Sequence, residues 1–220
     1  MSRPPAPVRS SIPAAKPAAP GRPKDPGKGA AILEAAKRLF TAHGFDGASM
    51  DQIAAEAGVS KLTVYSHYGD KESLFAAAVK SHCEQQLPTS LFEARPDIPL
   101  RDRLLQIADA FFAMISSPEA VAGHRFLCTP QMTETPLSRL FWEAGPQRVQ
   151  DAFAELLRLR VAAGQLQIDD VPRAAAQFFT LLKGEPHAQL VLGCGGLRER
   201  ETRRHLEASV DLFLRGYAPR

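Results

Sequence analysis

The chain has 220 residues, enough for one or two domains, and is 45% apolar, enough for a sizeable core. No run of about 18 apolar residues occurs, which excludes a membrane-spanning helix, and the scattered Cys83, Cys128 and Cys194 exclude a disulfide framework or a CxxC zinc site and suit a reducing, cytoplasmic setting. The net charge of +3 is unevenly placed: six Lys or Arg against one Asp in the first 28 residues, a net +5, leave −2 for the rest.

Residues 1–26 are rich in Pro, Ala, Ser and basic groups and nearly free of large apolar side chains. Such a segment cannot bury enough surface to offset its ordering entropy, so it reads as a disordered basic tail. It is either a plain solvated tail or an arm that adds phosphate affinity, with Arg22 and Lys24 nearest the fold. It has no apolar stretch of the kind a secretory signal needs. A first helix is predicted over about 29–43, because Ile32, Ala36, Leu39 and Phe40 follow the 3.6-residue period. Gly44 ends it, and Phe45 packs beneath the next pair of helices.

That pair lies in the stretch Ser49 to Lys71, SMDQIAAEAGVSKLTVYSHYGDK. Ser49 and Gln52 have the spacing of a capping box. Ile53, Ala54 and Ala57 give a two-turn helix one small apolar face, and Gly58 stops it at the left-handed position that glycine occupies cheaply. Val59 plugs the core under the turn. Ser60 caps a second short helix, Lys61 to His67. Asp70 caps a further helix from Lys71 to about Gln86, with Leu74, Phe75, Ala78 and Val79 inward, and Pro88 ends it. Two short helices across a tight glycine turn make a helix-turn-helix, residues 49–68. Its second helix has little to bury beyond Val64 and Tyr68. The remaining Lys61, Leu62, Thr63, Tyr65, Ser66 and His67 suit a major groove: donors for phosphates and base edges, and an aliphatic group for a thymine methyl.

From about residue 95 to 218 the pattern stays helical and shows no strand signals. Helices are predicted over 100–116, from Pro118 to about Cys128, from Pro136 to Ala163 with a break at Gly145-Pro146, and from Val171 to Leu192 with a kink at Gly184 and Pro186. The last runs from about Leu197 to Gly216, with Leu206, Val210, Phe213 and Tyr217 as its apolar stripe. Aromatic groups, Phe112, Trp142 and Phe178 among them, read first as ordinary core and second as cavity lining. Met114, His124 and Trp142 are the better lining candidates, because a soft or polar group among apolar ones orients a ligand. His124 and Cys128 stand four residues apart on one helix, a spacing that can hold a metal. With no third ligand nearby, no metal and no cofactor is assigned. Nor is there a nucleophile elbow, a P-loop or a pair of pocket carboxylates, so the reading is not an enzyme.

The runs AAKRLFTAHGFDGASM and GVSKLTVYSHYGDKESLF closely resemble the DNA-binding domain of the TetR (tetracycline repressor) family of bacterial regulators, over about Arg22 to His82. The resemblance implies an all-α fold with an N-terminal helix-turn-helix domain at 27–87 and a helical ligand-binding and dimerisation domain at 95–218. It makes the second short helix the recognition helix. Lys61, Leu62 and Thr63 fall where family members read base edges, Tyr65 and His67 where they touch phosphates or bases, and Ser49, Ser60 and Lys71 where helix ends and a lysine clamp the backbone. Leu62 departs from the family's usual Gly or Pro, and Tyr68 from its usual Phe. The family's body encloses an effector pocket, for which Phe112, Met114, His124, Trp142 and Phe178 are the candidates. Its last two helices form a four-helix dimer interface, for which Leu206, Val210, Phe213 and Tyr217 are the candidates. A two-fold dimer suits a near-palindromic double-stranded operator with half-sites about 34 Å apart. The expectation is a cytoplasmic homodimeric transcriptional regulator, a repressor released by a small-molecule effector. The alternative is a DNA-binding scaffold whose body recognises a protein partner.

Overall fold

Asp25 starts the first helix: its carboxylate accepts a hydrogen bond from Gly27 N at 3.0 Å, and Pro26 fills the first helical position, where its missing N–H costs nothing. In the computed structural model, which describes residues 25–95, 97–129, 135–196 and 198–219, helix α1 (Pro26–Gly47) therefore begins earlier than its apolar period suggests and is broken at Gly44, φ 70°. The tail read from the sequence lies, up to residue 24, outside the described residues. Helices α2 (Met50–Glu56), α3 (Lys61–Tyr68) and α4 (Lys71–Gln86) come next. The capping box at α2 is complete: Gln52 N donates to Ser49 Oγ at 3.2 Å and Ser49 N donates to Gln52 Oε1 at 2.8 Å. Ser60 and Asp70 cap α3 and α4 through Thr63 N and Ser73 N. Gly58 turns the chain between α2 and α3 at φ 65°, a conformation that would strain any side chain there.

These helices close on their own core. Ile32, Ala36, Ile53, Val64 and Leu74 are sealed from solvent. Phe40, Phe45 and Phe75 pack edge to face and stacked, with ring centroids 5.3–5.9 Å apart. Tyr68 closes the base of this core and donates its hydroxyl to Gly29 O at 2.8 Å, which satisfies the polar atom that the usual Phe would lack.

A 3₁₀ turn (Thr89–Leu91) leads to the body: α5 (Leu100–Ser116), α6 (Pro118–Leu127), α7 (Pro136–Ala144), α8 (Pro146–Ala162), α9 (Val171–Leu192) and α10 (Glu199–Gly216). Its centre is aromatic: Phe153 stacks on Phe178 at 4.5 Å, and Phe179 and Phe213 close around them. Helix α9 breaks at Gly184, φ 46° and ψ −157°. A Cβ there would lie 2.8 Å from the His205 ring, so both the backbone and the close approach of α10 require glycine.

The stripe on the last helix is corrected by this packing. Leu206, Val210 and Phe213 are 2%, 0% and 2% exposed inside a single chain, and Tyr217 packs on Phe213 while its hydroxyl bonds Gln177. They are core residues of the body. The outward side of α10 carries Arg204, Ala208 and Leu212 instead. Periodicity identifies an apolar face but not which neighbour covers it, and here α5 and α9 do.

Helix α6 braces head against body. Arg125 donates to the terminal carbonyls of α9, Val191 O at 2.6 Å and Leu190 O at 2.7 Å, and the Phe126 ring lies over Gly44 of α1.

Candidate nucleic-acid interface

Helix α3 is held by one face and offers the other. Val64 is sealed and Tyr68 is tied to α1, whereas Leu62 is 78% and Tyr65 41% exposed. Leu62 packs against no core residue of the chain and is free to meet a partner. Lys61, Ser66 and the N-terminus of α3 share this outer face. The N-termini of α2 and α3 are capped by Ser49 and Ser60, which fixes both residues; the remaining free N–H groups and the positive helix ends suit phosphate.

The side chains are less free than their types suggest. Lys61 Nζ pairs with Asp51 Oδ2 at 2.8 Å across the turn, both exposed, and that hydrogen bond holds its pKa above the usual lysine value. Thr63 Oγ1 shares a hydrogen bond with Ser60 Oγ at 2.8 Å and is half-buried. His67 lies half-buried beside Gly29 at the start of α1. Lys71 Nζ sits 4.3 Å above the Phe45 ring, a cation–π contact that holds the ammonium near the start of α4. The structure thus gathers Ser60, Lys61, Leu62, Thr63, Tyr65 and His67 on or at one short helix, with Ser49 and Lys71 starting its two neighbours. Sequence reasoning missed the Asp51 partner of Lys61; an acid in the first turn of α2, across a tight turn from a lysine, was the available signal.

The pocket candidates of the body do not converge. Phe178 is sealed against Phe153, and Phe112 is core beside His205. Trp142 is 46% exposed on α7. His124 faces the buried His187 of α9, ring centroids 5.3 Å apart, and burial holds both pKa values below the ordinary range. Among the described residues no group of His, Cys, Asp and Glu has the arrangement of a metal site, and burial pushes the Cys83 thiol up to about 11. Met114 alone of the five lines a cavity, one of about 470 Å³ between α1, α4, α5 and α6, open to solvent. Apart from Met114, no sequence signal marked this groove, because its walls come from four helices.

Comparison with known proteins agrees with this architecture. Residues 32–78 match the family model described as bacterial regulatory proteins, tetR family, and residues 102–219 match that of the AefR-like transcriptional repressor C-terminal domain. The chain is 33% identical over 135 residues to the HTH-type transcriptional activator FasR of Mycolicibacterium smegmatis, a match covering 61% of this chain and 60% of FasR. A solved TetR-family transcriptional regulator from Mesorhizobium loti shares 32% identity and a TM-score of 0.70, covering 87% of this chain and 96% of that one. The flavonoid-responsive regulator FrrA shares 33% identity and a TM-score of 0.70, covering 89% and 100%. With the head and more than half of the chain matched in register, this protein belongs to the TetR family of DNA-binding bacterial transcriptional regulators.

Proposed function

We propose that the chain acts as a homodimeric repressor that binds a near-palindromic operator through α3 and leaves it when a small molecule binds. In this reading residues 27–87 form the DNA head, residues 95–218 the regulatory and dimerising body, and the tail of residues 1–26 a basic arm. The protein works in the cytoplasm and catalyses no reaction. The observation that carries the reading is the outer face of α3, where Leu62 is 78% exposed among polar groups with no packing role in the chain. Lys61, Leu62 and Thr63 contact base edges, Tyr65 and His67 contact bases or phosphates, and Ser49, Ser60 and Lys71 position the backbone.

The match to AefR-like repressors supports repression, while FasR is named an activator. The name of FrrA supports a small-molecule effector. The exposed outer sides of α9 and α10, with Thr180, Ala188, Ala208 and Leu212, are the proposed dimer face; small residues there let helices approach closely. The test is fluorescence anisotropy on the DNA upstream of the protein's own coding sequence against scrambled DNA near physiological salt. The expected result is a preference of about a hundredfold or more with two protomers per site. Equal, salt-sensitive binding to both would remove sequence-specific reading by α3 at that site. A reporter fused to the same promoter decides the sign: deletion of the protein raises expression if it represses.

A further inference from the structure

The groove between head and body is built from both. Lys37 and Thr41 come from α1, His82 from α4, Ala113 and Met114 from α5, and Glu119 from α6. Its volume of about 470 Å³ falls within the roughly 300–1,000 Å³ of small-molecule sites. Met114 and the alanines give it an apolar floor, and a thioether is a favourable surface for an aromatic ring. His82 is exposed on the groove wall and makes no hydrogen bond among the described residues, so both ring nitrogens are available.

The charges select the ligand. Lys37 Nζ is already held by Glu34 and by Gln85 Oε1 at 2.8 Å, and Arg38 by Glu56 at 2.6 Å. Loss of solvation first, and then Lys37, hold the His82 pKa below its ordinary value against the opposing pull of Glu119; a neutral imidazole offers one donor and one acceptor. An organic anion entering here would meet the Glu119 carboxylate, and Lys37 and Arg38 would have to leave Glu34 and Glu56 to balance it. A neutral hydroxyl can donate to the Glu119 carboxylate and accept from the N–H of the His82 ring.

We infer that this head–body groove is a binding site for a neutral hydroxylated aromatic compound, its ring on Met114 and its hydroxyl between His82 and Glu119. The inference rests on the effector reading above and locates its site. Because α1 and α4 carry the DNA-reading unit while α5 and α6 belong to the body, a ligand here favours whichever head–body arrangement widens or narrows the groove. It changes operator binding only by its preference between the two arrangements.

The experiment titrates the full-length protein on its operator with naringenin, resveratrol, the hydroxyl-free flavone and benzoate, and measures binding of each by calorimetry. Response is the ratio of operator affinity with and without compound, for wild type, Thr41→Trp, Ala113→Trp, His82→Ala and His82→Gln. Naringenin or resveratrol should change wild-type affinity at least fivefold, with flavone and benzoate weaker. Either tryptophan should abolish the change by filling the groove, and His82→Gln should retain more of it than His82→Ala. A response that survives both tryptophan variants overturns the groove while leaving an effector elsewhere in place. Stronger action of benzoate overturns the ligand class. If neither hydroxylated compound acts on wild type, the inference falls; a thermal-shift screen with fatty-acyl and cationic compounds then decides separately whether any effector exists.

Discussion

Leu62 and Ile53 stand nine positions apart and separate reading from folding. Leu62 is almost bare, so Leu62→Ala should leave stability within about 0.5 kcal/mol and weaken operator binding. Ile53 is sealed in the head core, so Ile53→Ala should cost about 2–5 kcal/mol while weakening operator and scrambled DNA alike through loss of folded head. Thermal melts paired with anisotropy check both, and a Leu62→Ala chain that melts early would make Leu62 a packing residue. Asp51 makes a sharper case. Its carboxylate holds Lys61 and repels phosphate, so Asp51→Asn should raise affinity for any duplex and steepen its salt dependence by about one ion per freed lysine. A salt slope unchanged from wild type would show that Lys61 already leaves Asp51 on DNA. These positions also mark what the sequence could reveal. The capping serines, Gly58 and the sealed Val64 follow from local rules. The pairing of Lys61 with Asp51, and of the Thr63 hydroxyl with Ser60, depends on how two helices cross a turn, which residue types alone do not state.

At the scale of the element, α6 is the brace whose properties no single residue explains. It reaches α1 through Phe126, the end of α9 through Arg125, and the α9 break through His124 against His187. His187 is 7% exposed. Burial first, then His124 and Lys183, hold its pKa below the ordinary 6.5, against a hydrogen bond with the Ile115 backbone. His124 is lowered by burial and then by Lys183, and Lys183 itself by burial. The unfolded chain takes up these protons near pH 6.5, whereas the folded chain resists them until lower pH. The unfolded state therefore binds more protons in that window, and stability is full above it and falls as pH drops through the folded pKa values. The melting temperature should decline from about pH 7.5 toward about 5, and His124→Gln with His187→Gln should flatten most of the decline. His82, lowered mainly by loss of solvation, leaves a residual slope. An identical decline in the double variant would place the acid sensitivity outside α6. The sequence showed His124 as a histidine on an apolar helix. Its partner stands 63 positions away beyond a glycine break, a proximity created by the kink.

For the whole molecule, the helical period made the order of the helices legible, and the dense local code of residues 49–71 made the DNA head legible. The inside and outside of the body were harder. Leu206, Val210 and Phe213 form a regular stripe that fits an intrachain core and a partner helix equally well, because both present an apolar groove of the same period. Only the placement of α5 and α9 against that stripe decides between them. Once it is assigned to the core, the proposed dimer face is the opposite one, which is poor in large apolar groups apart from Leu212 at 50% exposure. A dimer built there depends on close approach across Thr180, Ala188 and Ala208 and on Leu212 as its principal anchor. Leu212→Arg places two facing cations in that seam and should convert the dimer to monomer, measured by light scattering after size exclusion, with little loss of melting temperature in the isolated chain. Operator affinity should then fall by at least tenfold, since each half-site must be bound independently, while binding to a single half-site stays as in wild type. Dimeric Leu212→Arg protein with unchanged operator binding would move the interface away from the outer side of α10.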